Sequence, residues 1–127
     1  MLSSIGPLGQ CFEQLDVLDL SFNALEPAEI QHLAGLPRLR HLDLSNNALV
    51  RAPEIGDGFA RLEILSVERN SLETDQDFMM FASLARLREL NVSHNRLTRI
   101  PPTAVTGFKS LEWINLAHNH IASESVR

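Results

Sequence analysis

The chain has almost no cysteine: Cys11 stands alone among 127 residues. No intrachain disulfide can form, and a fold without such staples suits a reducing compartment. Positive charge is also scarce. Lys and Arg number 11 against 16 Asp and Glu, for a net charge of −5 and no basic block. That balance gives no electrostatic grip on nucleic acid or an anionic membrane. No apolar run approaches the roughly 20 residues that cross a bilayer. The opening MLSSIGPLGQ lacks the basic flank and long apolar stretch of a signal peptide. Together these absences predict a cytoplasmic protein with no membrane span and no nucleic-acid contact. Catalytic signatures are missing too: there is no glycine-rich phosphate loop, nucleophile elbow or spaced Cys/His ligand pattern. The carboxylates sit singly at strand and loop positions. No enzymatic activity, cofactor or resident metal is expected.

What the chain does have is one eleven-residue phrase written five times. It reads LDVLDLSFNAL from Leu15, LRHLDLSNNAL from Leu39, LEILSVERNSL from Leu62, LRELNVSHNRL from Leu87 and LEWINLAHNHI from Leu111. All five fit LxxLxLxxNxL, with Val67, Val92, Ile114 and Ile121 replacing Leu. The starts at 15, 39, 62, 87 and 111 are separated by 24, 23, 25 and 24 residues. Self-similarity at such a period fixes the architecture of a chain. Alternation at period two marks a short strand in each unit, with Leu18 and Leu20 pointing one way and Val17, Asp19 and Ser21 the other. A strand this short cannot exclude water alone. Stacked with its equivalents at about 4.8 Å it becomes a rung of a parallel sheet, parallel because every unit returns to the same place in the same direction.

These units resemble the leucine-rich repeat family, and the resemblance covers essentially the whole sequence. It implies an α/β solenoid over residues 1–127, with a curved parallel sheet on the concave face and short helices or 3-10 turns on the convex face. Residues 2–14 read as a partial repeat, since Leu2, Ile5, Phe12 and Leu15 follow the order of Leu97, Ile100, Phe108 and Leu111. After Ile121 only Ala-Ser-Glu-Ser-Val-Arg follows. No polar capping unit is visible at either end, so the chain reads as a fragment of a longer array whose ends are covered by flanking sequence or a partner.

The recurrent Asn23, Asn47, Asn70, Asn95 and Asn119 stand where each strand ends and its backbone groups lose their ladder partners. A side-chain amide there can satisfy buried groups of its own turn and the next, which assigns these five a structural role. The returns differ. Pro27 begins and Gly35 ends a helical return with Ile30 and Leu33 inward. Thr74 and Asp77 form a capping-box pattern ahead of Phe78, Phe81 and Leu84. Met79 and Met80 read as core packing of that helix rather than as an apolar binding box. The stretches around Ala52-Pro53-Glu54-Ile55-Gly56 and Ile100-Pro101-Pro102 predict extended or 3-10 turns. The sequon Asn91-Val92-Ser93 falls in a strand and reads as chance.

Repeat register places Val17, His41, Ile64, Glu89 and Trp113 in one column of the concave face. Asp19, Asp43, Ser66, Asn91 and Asn115 form another, and the pairs Ser21/Phe22, Ser45/Asn46, Glu68/Arg69, Ser93/His94 and Ala117/His118 lie before the ladder asparagines. Leucine-rich repeat proteins generally grip protein partners on this face. The resemblance therefore implies a partner-binding surface containing Val17, Phe22, His41, Ile64, Arg69, Glu89, His94, Trp113 and His118. A few large anchors supply most of an interface's energy, which singles out Phe22, Ile64, Arg69 and Trp113. His94 and His118 share a column in adjacent rungs, within about 5 Å. With His120 near they lack the carboxylate or thiolate that would make a metal site, and a polar surface pair is the preferred reading. Intracellular members of the family serve as adaptors or scaffolds, including in cytoskeletal or ciliary complexes. The alternative is the recognition part of a larger receptor or multidomain enzyme. One variant of it is extracellular, because Ile100-Pro101 and the recurrent Phe12, Phe59 and Phe108 resemble the secreted class.

Overall fold

The structure is a computed structural model and describes residues 13–53 and 58–121. In each unit the centre of the phrase becomes a three-residue strand: β1 (Val17–Asp19), β2 (His41–Asp43), β3 (Ile64–Ser66), β4 (Glu89–Asn91) and β5 (Trp113–Asn115). The strands pair in parallel in chain order, and Leu18, Leu42, Leu65, Leu90 and Ile114 stand opposite one another. Leu42, Leu65 and Leu90 are buried, while Leu18 and Ile114 in the outermost described rungs are half-buried. The rung spacing thus converts a sequence period into a continuous column of aliphatic side chains. Full burial of each Leu contributes about 2 kcal/mol. Leu44, Val67 and Val92 form a second buried column, and Leu25, Leu49, Leu72 and Leu97 a third.

The returns close the other side of this core. The first is α1 (Pro27–Ile30) running directly into a 3-10 turn (Gln31–Gly35), with Pro27 in the first helical turn and Ile30 and Leu33 fully buried. The third is α2 (Asp75–Ala82), the longest helix among the described residues. Its start is fixed by a complete capping box: Asp77 N–H donates to Thr74 Oγ1 at 3.2 Å, and Thr74 N–H donates back to Asp77 Oδ2 at 3.2 Å. Phe78, Phe81 and Leu84 face inward as their spacing predicts. Met79 and Met80 are half-buried against the same core.

The fourth return corrects an expectation. Instead of an extended or 3-10 passage after Ile100-Pro101-Pro102, the chain forms α3 (Pro102–Gly107). Proline at a helix start loses nothing, because its missing N–H is one that the first turn leaves unpaired anyway. Close packing then favours the helix: a Cβ on Gly107 would meet the Ala82 Cβ at 3.2 Å, and Phe78 and Phe108 meet edge to face at 5.6 Å. In the second return Ala52 and Pro53 are buried and lie outside helix and strand, while Glu54, Ile55 and Gly56 fall outside the described residues. So do Leu2, Ile5 and Phe12 of the partial repeat and the segment after Ile121.

Candidate functional site

The strands leave one face of the sheet free of the core. Register places Val17, His41, Ile64, Glu89 and Trp113 side by side on it. Val17 is 54% and Trp113 49% exposed, while His41, Ile64 and Glu89 between them are half-covered. Phe22, at the turn after β1, is 73% exposed. Among the described residues the exposed large hydrophobics are Val17, Phe22, Trp113 and Val50, and Val50 alone lies in a return. Apolar exposure is therefore concentrated on the strand-and-turn side.

The next column belongs to local structure. Asp19 Oδ1 accepts the N–H and hydroxyl of Ser21 at 2.9 and 2.6 Å. Asp43 does the same with Ser45, and Asn91 with Ser93. These side chains bend the backbone out of the strand. Those two bonds from Ser21 hold the Asp19 carboxyl below the usual carboxylate range. Ser45 and Ser93 are consequently buried, which corrects their expected placement on the open surface. The same pairing engages the side chain of the Asn91 sequon.

Past the strands the inter-rung ladder continues for two further bonds, where the sequence suggested that it ends. The N–H groups of Leu20, Leu44, Val67 and Val92 donate to the carbonyls of Asp43, Ser66, Asn91 and Asn115 at 2.8 to 3.0 Å. Those of Phe22, Asn46, Arg69 and His94 donate to Ser45, Glu68, Ser93 and Ala117 at 2.9 to 3.0 Å. The residue before each ladder asparagine adopts a left-handed backbone, and in the first four units its N–H makes this second bond. Phe22, Asn46, Arg69, His94 and His118 have φ between 55° and 58°. Such a conformation costs an L-residue about 1–2 kcal/mol, so it persists only where the surroundings enforce it. Sequence reading missed it, because Phe22 and Arg69 do not favour that backbone, although Asn46, His94 and His118 are of types enriched there.

The asparagines then clamp each turn to the one before it. Asn70 Nδ2 donates to Val67 and Glu68 in its own turn and to Leu44 of the preceding rung, at 2.9 to 3.3 Å. Its Oδ1 accepts from Asn47 N–H at 3.1 Å and Leu49 N–H at 2.9 Å. Asn47, Asn95 and Asn119 repeat this, accepting from Leu25, Leu72 and Leu97 N–H. The expected link to the next turn therefore runs backwards to the preceding one. The reason is direction: the asparagine side chain reaches the carbonyl that the preceding unit leaves free as it enters its return. Asn23 donates to Leu20 and Ser21 carbonyls in its own turn.

At the far end of the turn row the imidazoles of His94 and His118 stack, with centroids 4.2 Å apart and planes 16° from parallel. In such a stack the rings meet face to face, and the ring edges that carry the nitrogens do not point at one another. Among the described residues no group of three or more potential metal ligands gathers. Partial desolvation, then Arg69 and His118, hold His94 below the ordinary histidine range, against a smaller opposite pull from Glu68.

The Leucine rich repeat family model matches residues 10–49 and 60–121 of this sequence. The chain belongs to the leucine-rich repeat family. Among solved structures, a leucine-rich repeat protein of Leptospira interrogans superposes with a TM-score of 0.77 at 26% identity, over 94% of this chain and 30% of its own. An internalin (inlF) of Listeria monocytogenes is matched over 96% of this chain and 47% of its own, at 17% identity and a TM-score of 0.46. The chain thus spans less than a third of the first of these proteins. No curated protein matches it significantly.

One feature of this leucine-rich repeat sheet escaped sequence reading although the sequence carries it. The second residue of each repeat is Asp16, Arg40, Glu63, Arg88 and Glu112, alternating in sign along the sheet edge. Arg40 pairs with Asp16 at 2.9 Å, and Arg88 bridges Glu63 at 3.3 Å and Glu112. Reading the repeats as aligned columns, rather than one at a time, reveals it. Such exposed pairs add little stability each, and their order penalises a slip of register by one repeat.

Proposed function

We propose that this leucine-rich repeat chain is a non-catalytic adaptor in an intracellular multiprotein assembly, holding a segment of a protein partner on the open face of its sheet. The fold is a typical protein-interaction module. What carries the reading here is the placement of exposed apolar bulk: Val17, Phe22 and Trp113 stand on the strand-and-turn side, flanking the half-covered His41, Ile64 and Glu89. Large aromatic groups set among polar ones are the usual source of interface energy, each worth about 2 kcal/mol or more when buried by a partner. The columns beside them are rigid, since every turn is bonded to its neighbours before any partner arrives, and pre-ordering lowers the entropic cost of binding.

The test is capture from a cell extract with wild type and with Phe22→Ala/Trp113→Ala, read by mass spectrometry. A partner held by wild type and lost from a variant of unchanged thermal midpoint is the expected result. Equal recovery by both contradicts it. A second reading has one observation in its favour: the chain spans 30% of the length of the Leptospira interrogans protein. In that reading these repeats are the recognition part of a larger receptor or multidomain enzyme, with the same face engaged.

A further inference from the structure

The left-handed row crosses the sheet as Phe22, Asn46, Arg69, His94 and His118, one residue per rung. Its last three members carry or can acquire positive charge, on a protein whose net charge is −5. We infer that Arg69, His94 and His118 form a docking row for an acidic, carboxylate-bearing segment of a protein partner, engaged more tightly as pH falls through the histidine range. The inference rests on the open-face reading and names the chemistry of the ligand.

Three observations carry it. First, the row is pre-positioned: the Arg69 and His94 N–H groups are fixed to carbonyls of the following rung at 3.0 and 2.9 Å, and left-handed φ sets the direction of each side chain. Second, Glu68 is already paired with Arg69, so a proton added to His94 finds no acid of its own. The groups acting on His94 are Arg69 and Glu68 from the third rung and His118 from the fifth. Glu68 is the one acid among them, at 3.9 Å from Arg69, and the Arg69 side chain remains 54% exposed. Third, rings 4.2 Å apart cannot both take a proton without repulsion, and each further proton needs a counter-charge. A carboxylate laid along the row supplies it, accepting from the guanidinium and from the imidazole N–H groups.

The proton linkage has a definite sign. A carboxylate that binds the imidazolium form raises the histidine pKa, so its affinity grows as pH drops from about 7.5 to about 5.5. Each unit of rise corresponds to about tenfold in affinity.

The probe is a labelled peptide alternating Glu and Ser, compared with its Gln/Ser counterpart, by fluorescence anisotropy on the full chain. The Glu peptide is expected to bind about tenfold more tightly at about pH 5.5 than at about pH 7.5, and the Gln peptide to bind weakly at both. Arg69→Asn/His94→Asn/His118→Asn copies the residue at Asn46, tolerates the same backbone and should abolish the preference. Equal binding of the two peptides, a flat pH profile, or binding retained by the triple variant overturns the inference. Histidine titration by NMR needs no variant: the Glu peptide should raise the His94 pKa, and an unchanged value overturns it equally. A cellular partner lost from Phe22→Ala/Trp113→Ala but kept by the triple variant sinks the acidic segment while leaving the open-face reading intact.

Discussion

The strand-and-turn side of this protein is nearly the same in every unit, whereas its return side is different in each. On the first, strand, left-handed residue and ladder asparagine recur at fixed positions, and bonds run from unit to unit. On the second, the described segments are a helix with a 3-10 turn, an irregular passage, a capped helix and a proline-started helix. The difference teaches where the tolerance lies. A return must only bring the chain back and cover apolar side chains, and many local structures do that. A turn must leave no buried polar group unpaired in a space one rung wide, which few arrangements do. Among the described residues every buried side-chain nitrogen and oxygen has a partner.

Truncation of the shared core sets the upper end of expected effects. Leu90→Ala, fully buried at the middle of a strand column, should cost about 3 to 4 kcal/mol in chemical denaturation; a loss under about 1 kcal/mol would show that neighbouring rungs collapse into the space. Asn70→Ala comes next, at about 3 kcal/mol, because it strips partners from Asn47 and Leu49 N–H together with those of three carbonyls. On the return side Asp77→Ala should cost about 2 kcal/mol. Its carboxylate receives Thr74 N–H, Glu73 N–H and, from the preceding return, Ala52 N–H at 2.8 Å. If Asp77→Ala proves worse than Asn70→Ala, the contrast between the two sides is wrong.

Smaller effects separate binding residues from structural ones. The folded-state pKa of His94 is depressed, so protonation favours the unfolded chain. Stability is full above the unfolded value of about 6.5 and falls as pH drops through the folded one. His94→Asn should flatten that dependence between about pH 7 and pH 5, measured by denaturant midpoint. Smallest of all, Arg88→Gln should lower the melting midpoint slightly in dilute buffer and leave it unchanged in about 1 M salt, where screening removes the advantage of its pairs with Glu63 and Glu112.

The rungs, their register and the inward columns were legible in the sequence because aliphatic identity repeats at fixed spacing. The capping box was legible because Thr74 and Asp77 are types with a defined local role. The left-handed row was not. Phe22 and Arg69 have no preference for that backbone and are held there by bonds to the neighbouring rung. The outcome at Ile100-Pro101-Pro102 was hidden for a related reason: α3 depends on contact with Ala82 and Phe78, which lie far away in sequence. The open-face columns followed from register alone, yet the turn toward burial of Ser45 and Ser93 required seeing their hydroxyls drawn to Asp43 and Asn91. Pattern conveys which residues are equivalent; it does not convey what a neighbour forces on them.

Hydrogen exchange under native conditions bears most directly on the idea that each turn is closed by the asparagine of the following unit. The N–H groups of Leu49 and Leu72 lie outside strand and helix and are held by Asn70 and Asn95 side chains. In the wild type both should exchange as slowly as the strand amides. In Asn70→Ala the N–H groups of Leu49 and Asn47 should become fast while that of Leu72 stays protected. Rapid exchange of Leu49 and Leu72 in the wild type, or uniform loss of protection in the variant, would contradict it.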